Sequence, residues 1–406
     1  MSKTPQTDRG RGRTTTVLLE ERKERMQTYR ELTRAVAKRR SEMLEMIAEV
    51  VGVESPTEDR AAVNRCVALL EKWIQSAGGK SKRSRQKTAG DLLVGRFGPV
   101  RGTPLLLLGH LDTVWPLGTL KKMPFRLRGG RAWGPGVLDM KAGVVMAVTA
   151  LRLLAEADLA RPVILLLNSD EETGSEFSRT LTESLARKCD AVFVLEPAQG
   201  LAGAYKTARK GVGNYRLQVH GIAAHSGVDF SQGHSAVLEL GRQIERASAF
   251  TEPARGITVN AGVIGGGTRS NVVAAEAWAE FDVRIAKAVD GPRMDRRFRS
   301  LRAVDRRCTL EVTGGLNRPP MERTPGTVAL FRRAATMAAG LGFQLQEAAT
   351  GGGSDGNFTS ALGIPTLDGM GAVGEGAHAE KESILLDTLV PRTALLTAMI
   401  GGLSLV

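Results

Sequence analysis

The chain has 406 residues, of which 42% are hydrophobic and 24% are charged. These values are typical of a globular protein that is long enough to form two domains. No segment approaches about 18 consecutive apolar residues, so the sequence predicts no membrane-spanning helix. The net charge is +13, and residues 1–40 contain 12 Lys and Arg against 5 Asp and Glu. Because no aromatic platform or reading motif accompanies these charges, we interpret them as solvated and expect no nucleic-acid partner.

Two further features concern the cellular compartment. The N-terminus lacks the apolar segment of a signal peptide. Cys66, Cys189 and Cys308 are isolated thiols without CxxC spacing, which suits a reducing environment better than a disulfide or zinc-ribbon framework. We therefore predict a cytoplasmic protein whose residues 1–16 form a disordered tail.

The first half of the chain alternates between helical patterns and apolar runs. Residues 17–51 predict one or two helices, and the Ser-Pro-Thr-Glu stretch at 55–58 predicts the cap of another helix that ends near Gly78. Continuous apolar runs predict buried strands at 105–108, 163–167 and 191–195, and an amphipathic helix is expected at 141–155. Strands that are buried on both faces and separated by helices indicate a mainly parallel α/β sheet.

The pattern changes after residue 210. Polar and apolar residues alternate at 215–220, and strand-like segments at 258–264 and 272–285 are joined by a glycine-rich turn at 265–268. Together with a predicted helix at 235–249, this alternation indicates an antiparallel sheet with one face covered by helices. We therefore predict a smaller α+β domain that is inserted into the α/β fold.

The α/β pattern resumes at residue 324. A helix is predicted up to Gly340, a glycine-rich loop at 351–355, a strand at 364–367 and a last helix at 385–403. The fold class is thus α/β, with a mainly parallel sheet in the larger domain and an antiparallel sheet plus helices in the inserted one.

Imidazole and carboxylate groups follow the predicted strands. His110 and Asp112 are two residues apart at a strand end, so both side chains point to the same side. One interpretation places His110 on a metal ion, with Asp112 orienting the imidazole. The alternative, a buried histidine beside a helix-capping aspartate, is stronger for this pair alone.

Other acids repeat the pattern. Asp139 precedes a helix and could equally be its N-cap. Asp170, Glu171 and Glu172 end another strand, and three adjacent carboxylates repel one another unless a cation lies among them. Glu196 follows a third strand, and His378 lies in a glycine-rich stretch. We interpret this recurrence as a site for divalent metal ions that activate water.

These motifs carry a family resemblance that extends from about residue 42 to the end of the chain. The segments at 110–114, 134–141, 170–172, 196–197 and 225–226, together with His378, are similar to those of the di-zinc metallopeptidase family of glutamate carboxypeptidase, aminoacylase, acetylornithine deacetylase and succinyl-diaminopimelate desuccinylase. Residues 115–125 most resemble the glutamate carboxypeptidase branch.

The resemblance implies two zinc ions per chain, although cobalt or manganese would suit the same ligands. One ion is expected on His110 and Glu196 and the other on Glu172 and His378, with Asp139 bridging both. The resemblance assigns Glu171 as the general base for a water bridged by the two ions, and Asp112 completes the catalytic set. It also implies a cis peptide bond between Asp139 and Met140.

Residues outside the ligand set match the family as well. His225 resembles an oxyanion-stabilising histidine that is supplied across a homodimer interface, although a core or surface histidine is the stronger interpretation without the resemblance. The residues that resemble substrate-binding positions are Asn271, Arg284, Gly352, Gly353 and Ser354, with Arg318 a weaker candidate for a side-chain carboxylate. For Arg284, an ordinary surface salt bridge with Asp282 is the alternative. His220 and His234 are interpreted as structural.

The resemblance also completes the domain assignment. Residues 17–210 and 321–406 are expected to form the catalytic, metal-binding domain, and residues 211–320 an inserted lid and dimerisation domain. We expect hydrolysis of an amide bond next to a C-terminal amino acid with a free carboxylate, in a small peptide or an N-acyl amino acid. The alternatives are an N-acyl amino acid deacylase of the acetylornithine deacetylase or aminoacylase type, and a non-catalytic binding protein on the same scaffold.

Overall fold

The structure, a computed structural model, describes residues 28–402. The tail predicted at 1–16 and the first part of the helix predicted from residue 17 lie outside this range. Within it, no helix is both long and apolar enough to cross a membrane.

The helices follow in chain order. They are α1 (28–38), α2 (Arg40–Gly52), α3 (Arg60–Ser76), α4 (Ala142–Glu156), α5 (Arg179–Ala186), α6 (Ala236–Ser248), α7 (Asp290–Arg299), α8 (Pro325–Gly340), α9 (Gly356–Ala361) and α10 (Leu389–Gly401). The strands are β1 (Lys80–Ser84), β2 (Leu92–Phe97), β3 (Leu105–His110), β4 (Arg126–Arg128), β5 (Arg131–Trp133), β6 (Val163–Asn168), β7 (Ala191–Val194), β8 (Tyr205–Arg209), β9 (Gly211–His220), β10 (Thr258–Gly266), β11 (Glu276–Ile285), β12 (Thr309–Arg318), β13 (Glu347–Thr350), β14 (Thr366–Leu367), β15 (Gly374–Glu375) and β16 (Ser383–Leu385).

The central sheet has the strand order β1-β2-β6-β3-β7-β14. Strands β6, β3, β7 and β14 pair in parallel, whereas β1 and β2 join antiparallel at one edge. Leu105 and Leu107 of β3 pack into one apolar cluster with α2, α4 and α10, while Leu106 and Leu108 pack into another with α5. Because alternate side chains point to opposite faces, every residue of β3 is buried.

A separate four-stranded sheet has the order β10-β11-β9-β12, and all its pairs are antiparallel. Its apolar face packs against α6 and α7, where the ring of Phe298 stacks on Tyr215 at a centroid distance of 4.1 Å. Two small sheets, β8-β13 and β15-β16-β5-β4, complete the strands of the described region. The predicted fold class is therefore confirmed. The domain boundaries at residues 210 and 321 stay predictions.

Some local predictions were wrong. Helix α3 is capped by Asp59, whose carboxylate accepts from the N–H of Ala62, and not by residues 55–58. Helix α4 is not amphipathic, because its first ten residues are all buried between the central sheet and neighbouring helices. The predicted turn at 265–268 is partly strand, since β10 continues to Gly266.

Candidate metal centre

The candidate ligands gather at the carboxyl edge of the central sheet. His110 is the last residue of β3, Glu172 lies in a short helical turn just after β6, and Glu196 follows β7 by two residues. Because β6, β3 and β7 are parallel neighbours, their carboxyl ends meet at one edge. The order of the strands therefore brings together residues that are far apart in the sequence.

Asp139 lies between the two histidines. Its Oδ1 is 3.3 Å from His110 Nε2, and its Oδ2 is 3.3 Å from His378 Nε2. His110 Nε2 is also 3.7 Å from Glu196 Oε1, and His378 Nε2 is 3.2 Å from Glu172 Oε2. All five predicted ligands thus meet in one cluster, with one carboxylate oxygen of Asp139 facing each half of it.

The donor atoms of this cluster are close enough to share cations. Ligand atoms of His110, Glu171 and Glu196 lie within 4.8 Å of one another, and so do those of His110, Asp139 and Glu172. Among the described residues, the buried atom Glu172 Oε1 lacks a hydrogen-bond partner. Imidazole nitrogens mixed with carboxylate oxygens suit zinc and similar divalent ions, so the residues fit a metal site.

The ionisation of the cluster is strongly perturbed. Burial and the nearby charge of Asp139 raise the pKa of the Glu196 carboxyl to about 7. Hydrogen bonds with Asp139 and Glu172 raise the pKa of His378 to about 10. Burial opposes protonation of His110, but its hydrogen bonds with Asp112 and Asp139 prevail and its pKa rises. Burial also raises the pKa of Glu171. Such shifts are typical of clustered acids and bases at functional sites.

Asp112 supports the cluster from behind. Its backbone oxygen lies 3.0 Å from His110 Nδ1, and its Oδ1 lies 3.4 Å from the same nitrogen. The carboxylate also accepts hydrogen bonds from Thr57 Oγ1 at 2.8 Å and from the N–H of Glu172 at 3.1 Å. With Nδ1 engaged, His110 turns Nε2 toward the cluster, which matches the orienting position expected for Asp112.

The loop that carries Asp139 is held by a residue that the sequence analysis missed. The buried carboxylate of Glu382 accepts from the N–H groups of Gly136 (2.8 Å), Leu138 (2.8 Å) and Asp139 (3.1 Å), and from Trp115 Nε1 (2.9 Å). Gly136 has φ +70°, and a Cβ there would lie 2.7 Å from Thr113 Cγ2, so this turn requires glycine. The peptide bond between Asp139 and Met140 is cis, as expected.

A second missed residue, Arg209, connects the cluster to the glycine-rich loop. Its Nη2 donates to Glu196 Oε2 at 3.1 Å, and its guanidinium also pairs with the buried Asp368. Its Nη1 donates to the carbonyls of Gly352 (3.3 Å) and Gly353 (3.0 Å). The sequence gives no sign that Arg209 is buried, because no motif or spacing distinguishes a buried arginine from one on the surface.

The structure places two predicted substrate-binding residues in internal contacts. Arg318 Nη2 donates to Glu171 Oε1 at 2.9 Å and to Asp355 Oδ1 at 3.1 Å, so Arg318 is bound to the predicted base. The N–H of Ser354 donates to Asn357 Oδ1 at 3.0 Å. An anion bound at this loop would therefore depend on the amides of Gly352 and Gly353.

The remaining candidates lie on or beside the four-stranded sheet. His225 and Asn271 are exposed and belong to neighbouring segments, since the N–H of Ser226 donates to the carbonyl of Asn271 at 3.0 Å. Arg284 makes the salt bridge with Asp282 (2.7 Å) that was weighed as its alternative, and its Nη1 also reaches the carbonyl of Gly351 at 3.4 Å. Within residues 28–402, no contact joins these three side chains to the five clustered ligands.

The two other histidines make contacts of their own. His234 Nδ1 lies 2.6 Å from Asp305 Oδ2, and His220 Nδ1 lies 3.9 Å from Glu276 Oε1. Both pairs lie outside the ligand cluster.

The chain is similar to known proteins over most of its length. The model of peptidase family M20/M25/M40 matches residues 106–401. Carboxypeptidase G2 from Pseudomonas sp. (strain RS-16) is 28% identical over 365 residues, which cover 88% of both chains. Succinyl-diaminopimelate desuccinylase from Stenotrophomonas maltophilia (strain R551-3) is 26% identical over 371 residues, covering 86% of this chain and 96% of its own. The solved structure of aminopeptidase PepT from Bacillus cereus ATCC 10987 has a TM-score of 0.72 at 20% identity and covers 90% of this chain and 99% of that chain, which shows a shared fold.

Proposed function

The chain belongs to peptidase family M20/M25/M40 and is a hydrolytic metalloenzyme, and from that premise we propose that it hydrolyses an amide bond next to a C-terminal amino acid with a free carboxylate. One observation carries the proposal: five ligand side chains converge on one cluster, beside Glu171. The similarity to carboxypeptidase G2 favours a carboxypeptidase-type substrate, either a small peptide or an N-acyl amino acid.

The proposed ligand assignment follows the distances. His110 and Glu196 would hold one ion, His378 and Glu172 would hold the other, and Asp139 would bridge them. We propose zinc for both ions, with cobalt or manganese as alternatives. Bound ions would polarise the amide carbonyl and lower the pKa of water.

Glu171 is proposed as the general base. In this assignment it removes a proton from the attacking water and passes it to the leaving nitrogen. Its hydrogen bond with Arg318 supports the proposal, because that contact orients the carboxylate and stabilises its charged form against burial. Arg318 is therefore assigned to positioning the base, in place of its weaker assignment to substrate binding.

The substrate-binding assignment remains a proposal. Arg284 and Asn271 would bind the substrate carboxylate, and the amides of Gly352 and Gly353 would complete an anion site. The 3.4 Å contact between Arg284 Nη1 and the carbonyl of Gly351 supports this grouping, because it brings the arginine to the glycine-rich loop. His225 would stabilise the oxyanion of the transition state.

We further propose that residues 211–320 form the inserted domain and that the protein is a homodimer through this region. Support comes from exposed apolar side chains on the edge strand β10, where Val263 and Ile264 are 50% and 64% exposed. Leu238 of α6 is also 58% exposed. Light scattering should give twice the chain mass, and Ile264→Arg should shift the protein toward a monomer. A monomeric wild type would contradict the proposal.

The compartment also remains a proposal. We assign the protein to the cytoplasm, because Cys66, Cys189 and Cys308 are free and buried thiols.

The second candidate is an N-acyl amino acid deacylase. The similarity to a succinyl-diaminopimelate desuccinylase over most of both chains favours it. Both reactions cleave an amide next to a carboxylate-bearing residue, and they differ in the acyl side of the substrate. A non-catalytic binding protein is not supported, since the chain keeps every predicted ligand and the predicted base.

A hydrolysis panel tests the proposal. The metal-loaded protein would be offered N-acyl glutamates, folate-like compounds, dipeptides and acetyl-amino acids, each also with its terminal carboxylate converted to an amide. We expect release of the C-terminal amino acid from the free acids, with kcat/KM at least about 100-fold above the amidated forms, because a lost charge-assisted contact leaves its partners unpaired. Equal rates for free and amidated compounds would contradict it.

A further inference from the structure

A cavity of about 450 Å³ opens beside the cluster of candidate ligands. The predicted ligand Glu172 and its neighbour Thr173 form one wall, and residues 56–59, 113–114 and 116–117 supply the others. Thr57 lines the cavity and donates to Asp112, which in turn contacts His110. The cavity therefore borders the cluster directly, on the side of Glu172.

A second side of the cluster has different neighbours. There Glu196 and Glu171 contact Arg209 and Arg318, which lead to the glycine-rich loop. None of these groups lines the cavity. A substrate whose scissile amide lies at the metal ions would place its two halves on the two sides. The glycine-rich loop, where Arg284 and the amides of Gly352 and Gly353 are proposed to bind the substrate carboxylate, lies on that side, so the cavity is left for the acyl half.

The chemistry of the cavity wall is specific. Val114 and Leu117 are 43% and 51% exposed and form an apolar surface together with Pro116. The charged side chains of the lining are acids, with Glu58 and Asp59 in addition to Glu172, and no Lys, Arg or His of residues 28–402 is among those that line it. Asp59 already accepts the capping hydrogen bond of α3, whereas Glu58 is exposed.

The apolar wall is anchored in place. The carboxylate of Glu54 accepts from the N–H of Gly118 at 2.8 Å and from the N–H of Leu120 at 2.9 Å. These two bonds fix the segment that directly follows Leu117. A wall held in this way presents a preformed surface, and preformed surfaces cost less ordering entropy when a ligand binds.

We propose that this cavity receives the acyl part of the substrate and selects an apolar acyl group without negative charge. A carboxylate there would meet the exposed Glu58, and no Lys, Arg or His of the described residues lines the cavity to pair it, so the like charges at short distance are unfavourable. The inference rests on the proposed amide hydrolysis and sharpens it. It separates this chain from a desuccinylase, whose acyl group carries a carboxylate.

A matched pair of substrates tests the charge preference. N-succinyl and N-succinamoyl derivatives of the amino acid released best differ only by a carboxylate against an amide. We expect kcat/KM for the succinamoyl compound to be at least about tenfold higher, because the charged group lacks a partner. In Glu58→Lys, this ratio should fall by about tenfold, and in Glu58→Gln by less. Glu45→Lys, which makes the same charge change at an exposed position of α2 away from the cavity, should leave the ratio unchanged.

A second pair tests the apolar wall. Leu117→Ala should lower kcat/KM for an N-benzoyl substrate about tenfold more than for an N-acetyl one, since only the larger group reaches this side chain. An unchanged ratio of kcat/KM between the succinamoyl and succinyl compounds in Glu58→Lys would overturn this inference but not the proposed function. Equal losses of kcat/KM for the benzoyl and acetyl compounds in Leu117→Ala would do the same. Failure to hydrolyse any acyl compound would overturn the proposed function and this inference with it.

Discussion

Candidate residues at the carboxyl edge of the central sheet are packed against one another, whereas those beside the antiparallel sheet β10-β11-β9-β12 are exposed. At the sheet edge, His110, Asp139 and Glu172 are packed within a few ångströms of their partners. Beside the four-stranded sheet, His225 and Asn271 are exposed. The order of the strands assembles the first region within a single core, whereas the second would need a substrate or a second chain to cover its side chains.

This difference separates two kinds of contribution to catalysis. The sheet edge can bind ions before any substrate arrives, because buried contacts already orient its side chains. In the proposed mechanism, the exposed residues would contribute only when a substrate or a second chain reaches them. Substitutions at the sheet edge should therefore lower metal content, whereas substitutions of the exposed residues should lower kcat without loss of metal.

Removal of the metal should have the largest effect. A strong chelator is expected to abolish hydrolysis, and zinc, cobalt or manganese should restore it. Hydrogen exchange should increase around 136–139 and 171–172, while β9 and β11 keep their protection because their core is separate. Full activity after exhaustive chelation would contradict a role of bound metal at the sheet edge.

Replacing the proposed base should come next. Glu171→Gln keeps the size of the side chain but cannot accept a proton, so kcat should fall about 10²- to 10⁴-fold. The metal content measured by elemental analysis should stay at the wild-type value, because Glu171 is not one of the five assigned ligands. A fully active variant would show that another group takes the proton.

His225→Ala tests the exposed region. We expect kcat to fall about 10²-fold, as for loss of one donor to an oxyanion. The affinity for zinc should stay unchanged, since no contact within the described residues joins His225 to the ligand cluster. His220→Ala is the matched control, because His220 ends strand β9, close to His225 in the sequence, and is also exposed. A loss of zinc from His225→Ala would mean that the two regions are not separable.

Glu382→Gln tests the support of the sheet edge and should have the smallest effect. The substitution places an NH2 donor against backbone N–H groups that now donate to the Glu382 carboxylate. The loop of Asp139 should therefore be less firmly held. We expect zinc affinity, measured by chelator competition, to fall about 10- to 100-fold. Glu375→Gln on neighbouring β15, which alters only a pairing with Arg131, should leave the affinity unchanged. Equal zinc affinities in both variants would show that Glu382 does not support the metal site.

The buried strands were predictable, whereas the polar edge of the sheet was not. Strands β3, β6 and β7 are unbroken apolar runs because helices cover both faces of the sheet. Strand β1 has the sequence Lys-Ser-Lys-Arg-Ser, and its edge position leaves it exposed, so it has no hydrophobic pattern. Helix α4 lacks a polar face for the opposite reason, since neighbouring helices cover it on the outside.

The convergence of the candidate ligands was predictable, because His110, Glu172 and Glu196 follow buried strands and the family resemblance adds Asp139 and His378. The residues that hold these ligands in place were not. Glu382 acts on backbone N–H groups and Arg209 on backbone carbonyls, so neither requires a particular partner residue that a motif could reveal. Only the folded chain brings Glu382 to the loop of Asp139, more than two hundred positions earlier.

The central claim is that two ions share Asp139, and counting bound metal tests it most directly. Elemental analysis of the zinc-saturated, gel-filtered protein should give two ions per chain for the wild type. Asp139→Asn should lose both ions together, because each half of the cluster faces one oxygen of this carboxylate. A wild type without bound metal, or an Asp139→Asn variant that still holds two ions, would contradict the account.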